Sequence, residues 1–309
     1  MTVLLTGGAG FIGSHVVDVL SAYGFTPRIF DLVPPPVNIS HVDWIVGDLL
    51  DRAALSRAMH DCHAVIHLAA IADVGLVAAD PARADAVNVR GTQNALETAR
   101  QAGVERFVFA STVWVYGGAN GNGRAVDEDT PLVLPSHFYT ATKLAGEMYC
   151  RSYAELYGLQ ETILRFGIPY GPRSRRAAVV ATFVARARAG EPLVIVGDGL
   201  QSRQFVYVED LAAGIVAAIR EPAPPGVYNL VGEETTSVRA IADHVRELVA
   251  DVPIIHVEGR KADLDPRRVS GERAAEHLRW RASTPFSEGV RTYVDWVSGT
   301  NGSPSAATD

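Results

Sequence analysis

Tyr139 and Lys143 stand four residues apart in Ser136-His-Phe-Tyr-Thr-Ala-Thr-Lys143, a spacing that places a phenol and an ammonium on one face of a helix. A free tyrosine releases its proton near pH 10, so a tyrosine base working near neutrality needs a positive charge to stabilise its phenolate. Lys143 supplies that charge, and it is conspicuous because only Lys143 and Lys261 among the 28 basic residues are lysines. Such pairs also decorate solvated helix faces, so the segment before this one matters. Arg106-Phe-Val-Phe-Ala110 reads as a buried strand running into Ser111-Thr112, and a hydroxyl at the carboxyl edge of a sheet can hold a substrate oxygen. Phenol, ammonium and hydroxyl then converge on one point.

A second constellation opens the chain. Thr2-Val-Leu-Leu-Thr6 is followed by Gly7-Gly-Ala-Gly10-Phe11-Ile12-Gly13, which sets three glycines between a strand and an amphipathic helix. Gly7 and Gly10 let the backbone turn tightly and approach a pyrophosphate at the helix amino terminus, while Gly13 allows helix and strand to pack closely. The strand-first, helix-next placement separates this run from an ordinary Gly-rich turn. Asp31 closes the second strand, where a carboxylate accepts hydrogen bonds from an adenosine ribose. It would repel a 2′-phosphate, and Leu32-Val-Pro-Pro-Pro36 offers no arginine to receive one. The reading is therefore NAD rather than NADP.

These groups need elements to position them, and the first half of the chain alternates short apolar runs with amphipathic stretches, the mark of βα units around a parallel sheet. The pattern predicts strands at Thr2–Thr6, Pro27–Asp31, Trp44–Val46, Ala64–His67, Arg106–Ala110 and Glu161–Phe166. It predicts helices at Phe11–Tyr23, Asp51–Met59, Pro81–Ala102, His137–Leu156 and Ala178–Ala189. Beyond Leu193 the order is less regular, with strands at Leu193–Val196, Gln204–Tyr207 and Val227–Leu230 and helices at Val208–Arg220, Ser237–Val249 and Ser287–Ser298. The expected fold is α/β: a Rossmann-type doubly wound parallel sheet with a smaller carboxyl-terminal α/β substrate-binding lid. Residues 1–165 form the first unit, to which 201–220 return, residues 166–298 mainly form the second, and 299–309 are a disordered tail.

Composition narrows the partners. The chain has 309 residues, 48% of them hydrophobic and 20% charged, ordinary for a globular protein able to bury a large core. A net charge of −7 opposes a phosphate-backbone surface, so nucleic acid is not expected as a partner. No apolar run approaches the roughly 20 residues that cross a bilayer, and the amino terminus enters a strand at once, so no membrane partner and a cytoplasmic location are expected. Cys62 and Cys150 have no CxxC or Cys/His spacing, which suggests neither a disulfide framework nor a metal site.

The chain resembles the extended short-chain dehydrogenase/reductases, in particular the NAD-dependent epimerase/dehydratase family. The resemblance covers nearly all of residues 1–298. It rests on the Thr6–Gly13 turn, Gly47-Asp48-Leu49, His67-Leu68-Ala69-Ala70, Asn88-Val-Arg-Gly-Thr92, Ser111-Thr112 with Val115-Tyr-Gly117, Tyr139 to Lys143, Leu164-Arg-Phe166, Tyr170-Gly-Pro172 and Arg203-Gln-Phe-Val-Tyr-Val-Glu-Asp210. What it implies is a Tyr139 base, a Lys143 that binds the nicotinamide ribose and lowers the tyrosine pKa, and a Thr112 that hydrogen-bonds the reacting sugar oxygen. It further implies that Asp48 holds the adenine and that Ala69 lines the cofactor channel. Phe11, Ile12, Leu49, Leu68, Ala70, Ser111 and Phe166 join the cofactor contacts, and Asn88 takes a structural or cofactor-positioning part. It also implies a homodimer formed by pairing the helices around Pro81–Ala102 and His137–Leu156.

Departures from the family pattern bear on the reaction. Dehydratases of the family carry an Asp–Glu pair just after the threonine; here Val113 and Trp114 stand there, and neither can take a C5 proton or protonate a departing C6 hydroxyl. A nucleotide-sugar 4-epimerase needs only Tyr139 and a returning hydride, and UDP-glucose/UDP-galactose or the hexuronates are the expected substrates. A 4-ketoreductase or dehydrogenase built on the same residues is the rival, and a non-catalytic NAD-binding scaffold is a third reading. Arg203 matches the family arginine that meets the diphosphate, and Arg260 with Asp263 resembles a second phosphate-binding segment, since a bidentate arginine suits a pyrophosphate. Where an asparagine often contacts the diphosphate, Ile168 cannot donate that bond; Arg176, in Arg173-Ser-Arg-Arg176, is placed to compensate. Gln204 stands where an aspartate is common.

Overall fold

The computed structural model describes residues 1–34, 42–119, 125–135, 137–220, 223–258 and 268–299. Strands β1 (Thr2–Thr6), β2 (Thr26–Asp31) and β3 (Asp43–Val46) enclose helices α1 (Phe11–Ala22) and, after β3, α2 (Arg52–Met59). Then come β4 (Ala64–His67), α3 (Val74–Ala79), α4 (Pro81–Asp85), α5 (Gly91–Ala102), β5 (Arg106–Thr112), α6 (Phe138–Tyr157) and β6 (Gln160–Phe166). The remaining elements are β7 (Ile168–Tyr170), α7 (Val179–Arg188), β8 (Leu193–Val196), β9 (Ser202–Tyr207), α8 (Val208–Ala217), β10 (Gly226–Leu230), β11 (Thr235–Ser237), α9 (Val238–Leu248), β12 (Ile254–Val257) and α10 (Phe286–Gly299).

Seven parallel strands form the main sheet in the order β10-β6-β5-β4-β1-β2-β3. The order reverses between β1 and β4, which opens the crevice where such sheets bind ligands. Alternation along the strands explains the two covered faces. Val3, Leu5 and Ile66 pack with Val16 and Leu20 of α1 and Leu211 and Ile215 of α8. Their neighbours Leu4, Val65, Phe107 and Phe109 face Leu55 of α2, Leu96 of α5 and Cys150 of α6. Late in the chain, β10 returns to extend this sheet beside β6.

Two smaller sheets, β11-β9-β7 and β12-β8, make the second lobe. Its core joins Phe183 and Val184 of α7, Phe205 and Tyr207 of β9, Ile241 and Val245 of α9, and Phe286, Val290 and Tyr293 of α10. The predicted elements are present, three strands with the expected bounds and the rest with ends moved by at most three residues. The helix expected over Pro81–Ala102 is continuous but contains a π-helical turn at Ala86–Arg90. Strands β7, β11 and β12 and the six-residue α3 are not anticipated by the sequence pattern.

Candidate functional site

The glycine turn is shaped by close approach. Gly7 has φ +75°, and a Cβ there would lie 2.8 Å from the Ala69 nitrogen, so a side chain is excluded on both grounds. A Cβ on Gly13 would strike the Gly7 carbonyl. Asp31 is fixed over this turn: Oδ2 accepts from the Ala9 amide at 2.9 Å and Oδ1 from the Val33 amide at 3.3 Å, leaving other lone pairs to accept ribose hydroxyls. Helix α1, whose first turn holds Phe11 and Ile12, has no acidic residue there, so its positive end is open to a phosphate. A cradle that a Cβ would fill, an unopposed helix terminus and an anchored carboxylate fit a dinucleotide carrying an unphosphorylated ribose.

Around this turn the expected cofactor residues divide. Asp48 is exposed at the turn after β3, its Oδ1 accepting from Leu50 N at 2.9 Å, while the Leu49 and Phe166 side chains enter the core. Leu68, Ala69 and Ala70 line the half-buried loop after β4. That loop is buttressed by a network the sequence does not reveal. Thr6 Oγ1 donates to His67 Nδ1 at 2.7 Å and accepts from the Ala69 amide at 3.3 Å. His67 Nε2 lies 3.0 Å from Thr92 Oγ1, which itself donates to Asn88 O at 2.6 Å. The proton directions assign His67 the neutral Nε2–H tautomer, and burial drives its pKa down to about 3. Asn88, in the π-helical turn, accepts from Ile71 N at 2.8 Å and donates to Ile71 O at 3.0 Å and to Thr142 Oγ1 at 3.1 Å. It thus ties the cofactor loop to α6.

Helix α6 carries Tyr139 and Lys143 and starts at His137, whose ring accepts from the Thr140 amide as a cap. The helix comes close to β5 because residue 146 is glycine; a Cβ there would run into the Phe109 ring. Lys143 is buried, its Nζ donating to Ala110 O at 2.8 Å and lying 5.9 Å from the Tyr139 ring centroid. Burial lowers the lysine to about 8 and raises the Tyr139 phenol to about 12, where the Arg175 charge pulls it back down. Thr112 ends β5 and is buried, its Oγ1 accepting from Trp114 N at 3.3 Å. Trp114 stands edge-on to Tyr139 at 6.2 Å and to His137 at 5.2 Å, and His137 stacks along Tyr139 at 6.4 Å. The turn after Thr112 therefore packs against the tyrosine.

Ser111, next to Thr112 on β5, donates to Glu147 Oε1 of α6 at 2.6 Å. Glu147, one turn beyond Lys143, is bound at both oxygens by Arg165 of β6 at 3.0 and 2.7 Å, and the pair is almost wholly buried. Arg165 also donates to Tyr116 Oη at 3.0 Å, which donates to Asn229 Oδ1 of β10 at 2.8 Å. Buried short polar residues at the ends of apolar strands, such as Thr6, His67 and Ser111, were the available signal for these networks.

Of the residues expected at the nucleotide end of the substrate, Ile168 and Arg203 lie on strands of the second lobe. Ile168 sits half-buried in β7, and Arg203 is the second residue of β9, its Nη1 donating to Ser202 O at 2.8 Å. Gln204 braces the backbone around it, donating to Gly232 O at 2.8 Å and Val269 O at 3.0 Å and accepting from Val269 N at 2.6 Å. An aspartate has no N–H for those carbonyls. Arg176 is exposed in the loop before α7. Arg260 and Asp263 lie outside the described residues. Among the described residues no cluster of His, Cys, Asp or Glu could hold a metal, and no helix is long and apolar enough to cross a membrane.

Known proteins are similar to this chain in sequence and fold. Residues 3–231 match the sequence model of the NAD dependent epimerase/dehydratase family. The chain is 32% identical to a putative UDP-glucose 4-epimerase of Methanocaldococcus jannaschii, over 97% of this chain and 99% of that one. The UDP-glucose 4-epimerase of Thermotoga maritima, solved with UDP-glucose, superposes with a TM-score of 0.90 at 32% identity, covering 97% of this chain and 100% of that one. A dTDP-glucose 4,6-dehydratase of Streptomyces venezuelae, solved with NAD, gives 0.88 at 28% identity and 98% of each chain. Epimerases and dehydratases both stand among the relatives, and the chain belongs to the NAD-dependent epimerase/dehydratase family.

Proposed function

We propose that the protein is an NAD-dependent nucleotide-sugar 4-epimerase acting on a UDP-hexose of glucose or galactose configuration, or on the matching hexuronate. The observation that carries this reading is the turn against Tyr139. It holds Val113 and Trp114, which cannot transfer the protons that elimination requires. Epimerisation needs one proton taken from a sugar hydroxyl and later returned. Thr112 holds the C4 oxygen, Tyr139 takes its proton, and Lys143 stabilises the phenolate while binding the nicotinamide ribose. Bound NAD supplies a reversible hydride acceptor for C4. Once the 4-keto sugar presents its other face, Tyr139 gives the proton back.

Gly7, Gly10 and Gly13 hold the pyrophosphate of the cofactor, and Asp31 holds its ribose. The 166–298 lobe carries the nucleotide end of the sugar, with Arg203, Arg176 and Arg260 meeting the diphosphate and Asp263 in the same binding segment as Arg260. Exposed Phe138, Leu156 and Met148 on α6 suit the pairing of α5 and α6 in a homodimer. The test is proton NMR of purified protein mixed with UDP-, dTDP- and GDP-hexoses and no added cofactor. Interconversion of UDP-glucose and UDP-galactose, or of the uronates, is expected. Net formation or consumption of reduced cofactor would mark a dehydrogenase or ketoreductase instead.

A further inference from the structure

The segment Gly171–Arg176, between β7 and α7, is pinned on both sides of the cofactor crevice. On the α1 side, His15 Nε2 donates to Pro172 O at 2.9 Å and Arg173 pairs with Asp18 at 2.7 Å. On the β4 side, Arg175 Nη1 lies 3.6 Å from Asp73 Oδ2. Asp73 ends the loop that follows β4, and α1 begins just after β1. Since β1 and β4 are neighbours where the strand order reverses, a segment docked on both must cross the carboxyl edge between them. Arg173 has φ +65°, a left-handed conformation rare for a long side chain. Backbone of that kind persists where its surroundings hold it, and here the surroundings are the two docking points.

The Arg175 latch is also joined to the catalytic helix. Asp73 caps α3, which packs on α6. Two residues before it, Ile71 is held by Asn88, whose amide also bonds Thr142. The Arg175–Asp73 pair is therefore linked, through α3 and Ile71, to α6, whose first turn bears Tyr139. Tyr139 is faced by Lys143 and His137 from its own helix and by Arg175, with Asp73 behind it, from the loops; Thr112 and Trp114 bring no charge. The Arg175 charge opposes burial at the phenol, in addition to the Lys143 ammonium of the proposed mechanism.

We propose that Gly171–Arg176 is a strap across the cofactor crevice, latched at Asp18 and Asp73, and that the latch makes Arg175 a positioning residue for Tyr139. Closing the strap over the cofactor and readying the base are then one event. The strap rests on the reading of Tyr139 as the base, but its first readout needs no substrate. NAD carried by the protein is exchanged against labelled NAD in wild type, Arg175→Gln, Arg175→Lys and Asp18→Asn.

Each latch is a half-exposed ion pair, so breaking one should speed exchange by about threefold, and Arg175→Lys should stay near wild type. Arg239→Gln, which breaks a remote pair with Asp243 on α9, should change nothing. The second readout is the pH dependence of kcat: in Arg175→Gln the limb on which the base loses its proton should move up by about half a pH unit, and Arg175→Lys should restore it. Equal exchange rates in wild type, Arg175→Gln and Asp18→Asn overturn the strap, whether or not any sugar is turned over. A kcat limb that stays in place in Arg175→Gln overturns the action on Tyr139. Wild type that turns over no sugar while its exchange rates respond would sink the epimerase reading and leave the strap standing.

Discussion

Asn88 and Thr142 are joined by a 3.1 Å hydrogen bond from the asparagine amide to the threonine hydroxyl, and this bond couples the cofactor loop to the helix that carries the base. Thr142 in turn donates to Tyr139 O at 2.8 Å. Replacing Asn88 with alanine leaves the Ile71 amide and carbonyl without their partner, at a cost of about 1–3 kcal/mol for a buried group. Asn88→Ala should lower Tm and reduce kcat more than it raises KM for the sugar, as steady-state kinetics beside thermal melting will read.

Glu147 and Arg165 should be the least tolerant pair in the molecule. Removing one member of a buried ion pair strands the other charge, which costs about 3–5 kcal/mol. Glu147→Gln should therefore lose most of that amount in urea unfolding. Replacing both residues with apolar ones of similar volume should cost less than the single change.

Gly146 sets the distance between α6 and β5. A methyl group there meets the Phe109 ring, and overpacking of this kind costs about 1–3 kcal/mol. Gly146→Ala should reduce kcat as well as stability, because the helix that must shift carries both Tyr139 and Lys143. The double change Gly146→Ala with Phe109→Leu should recover part of both losses.

Much of this site was legible in the sequence. The strand-turn-helix context located the Gly7–Gly13 cradle and Asp31, and the four-residue spacing located Tyr139 and Lys143, because such relations are local in the chain. The partners of His67, Asn88, Glu147 and Arg175 were not legible. Each lies on a different element: the parallel sheet brings Thr6 beside His67, and the packing of α6 on β5 brings Ser111 beside Glu147. The short strands β7 and β11 escaped for a related reason: it is their pairing to β9, distant in the chain, that fixes them. Gln204 looked like a departure from pattern until its bonds to Gly232 and Val269 gave it a role an aspartate cannot fill.

His67 should make the protein sensitive to acid. Its ring is held neutral with a pKa of about 3, against 6.5 when exposed. Below 6.5 the unfolded chain binds a proton that the folded one refuses, so this contribution is complete above pH 6.5 and is lost as pH falls toward 3. At most one such proton lowers stability by about 1.4 kcal/mol per pH unit. Urea unfolding at a series of pH values should show this slope in the wild type, and His67→Gln should lack it while being less stable near neutrality.

In the proposed reaction Tyr139 moves the sugar proton while the rest of the site holds the cofactor, so the two roles should separate in one variant. Epimer interconversion by Tyr139→Phe is followed by NMR, alongside the amount of NAD released on heating the same sample. A hundredfold or greater loss of turnover, in the range of about 10²–10⁴ expected for a lost general base, with NAD still carried, is the predicted result. A Tyr139→Phe protein that interconverts the epimers at a rate close to wild type would contradict it.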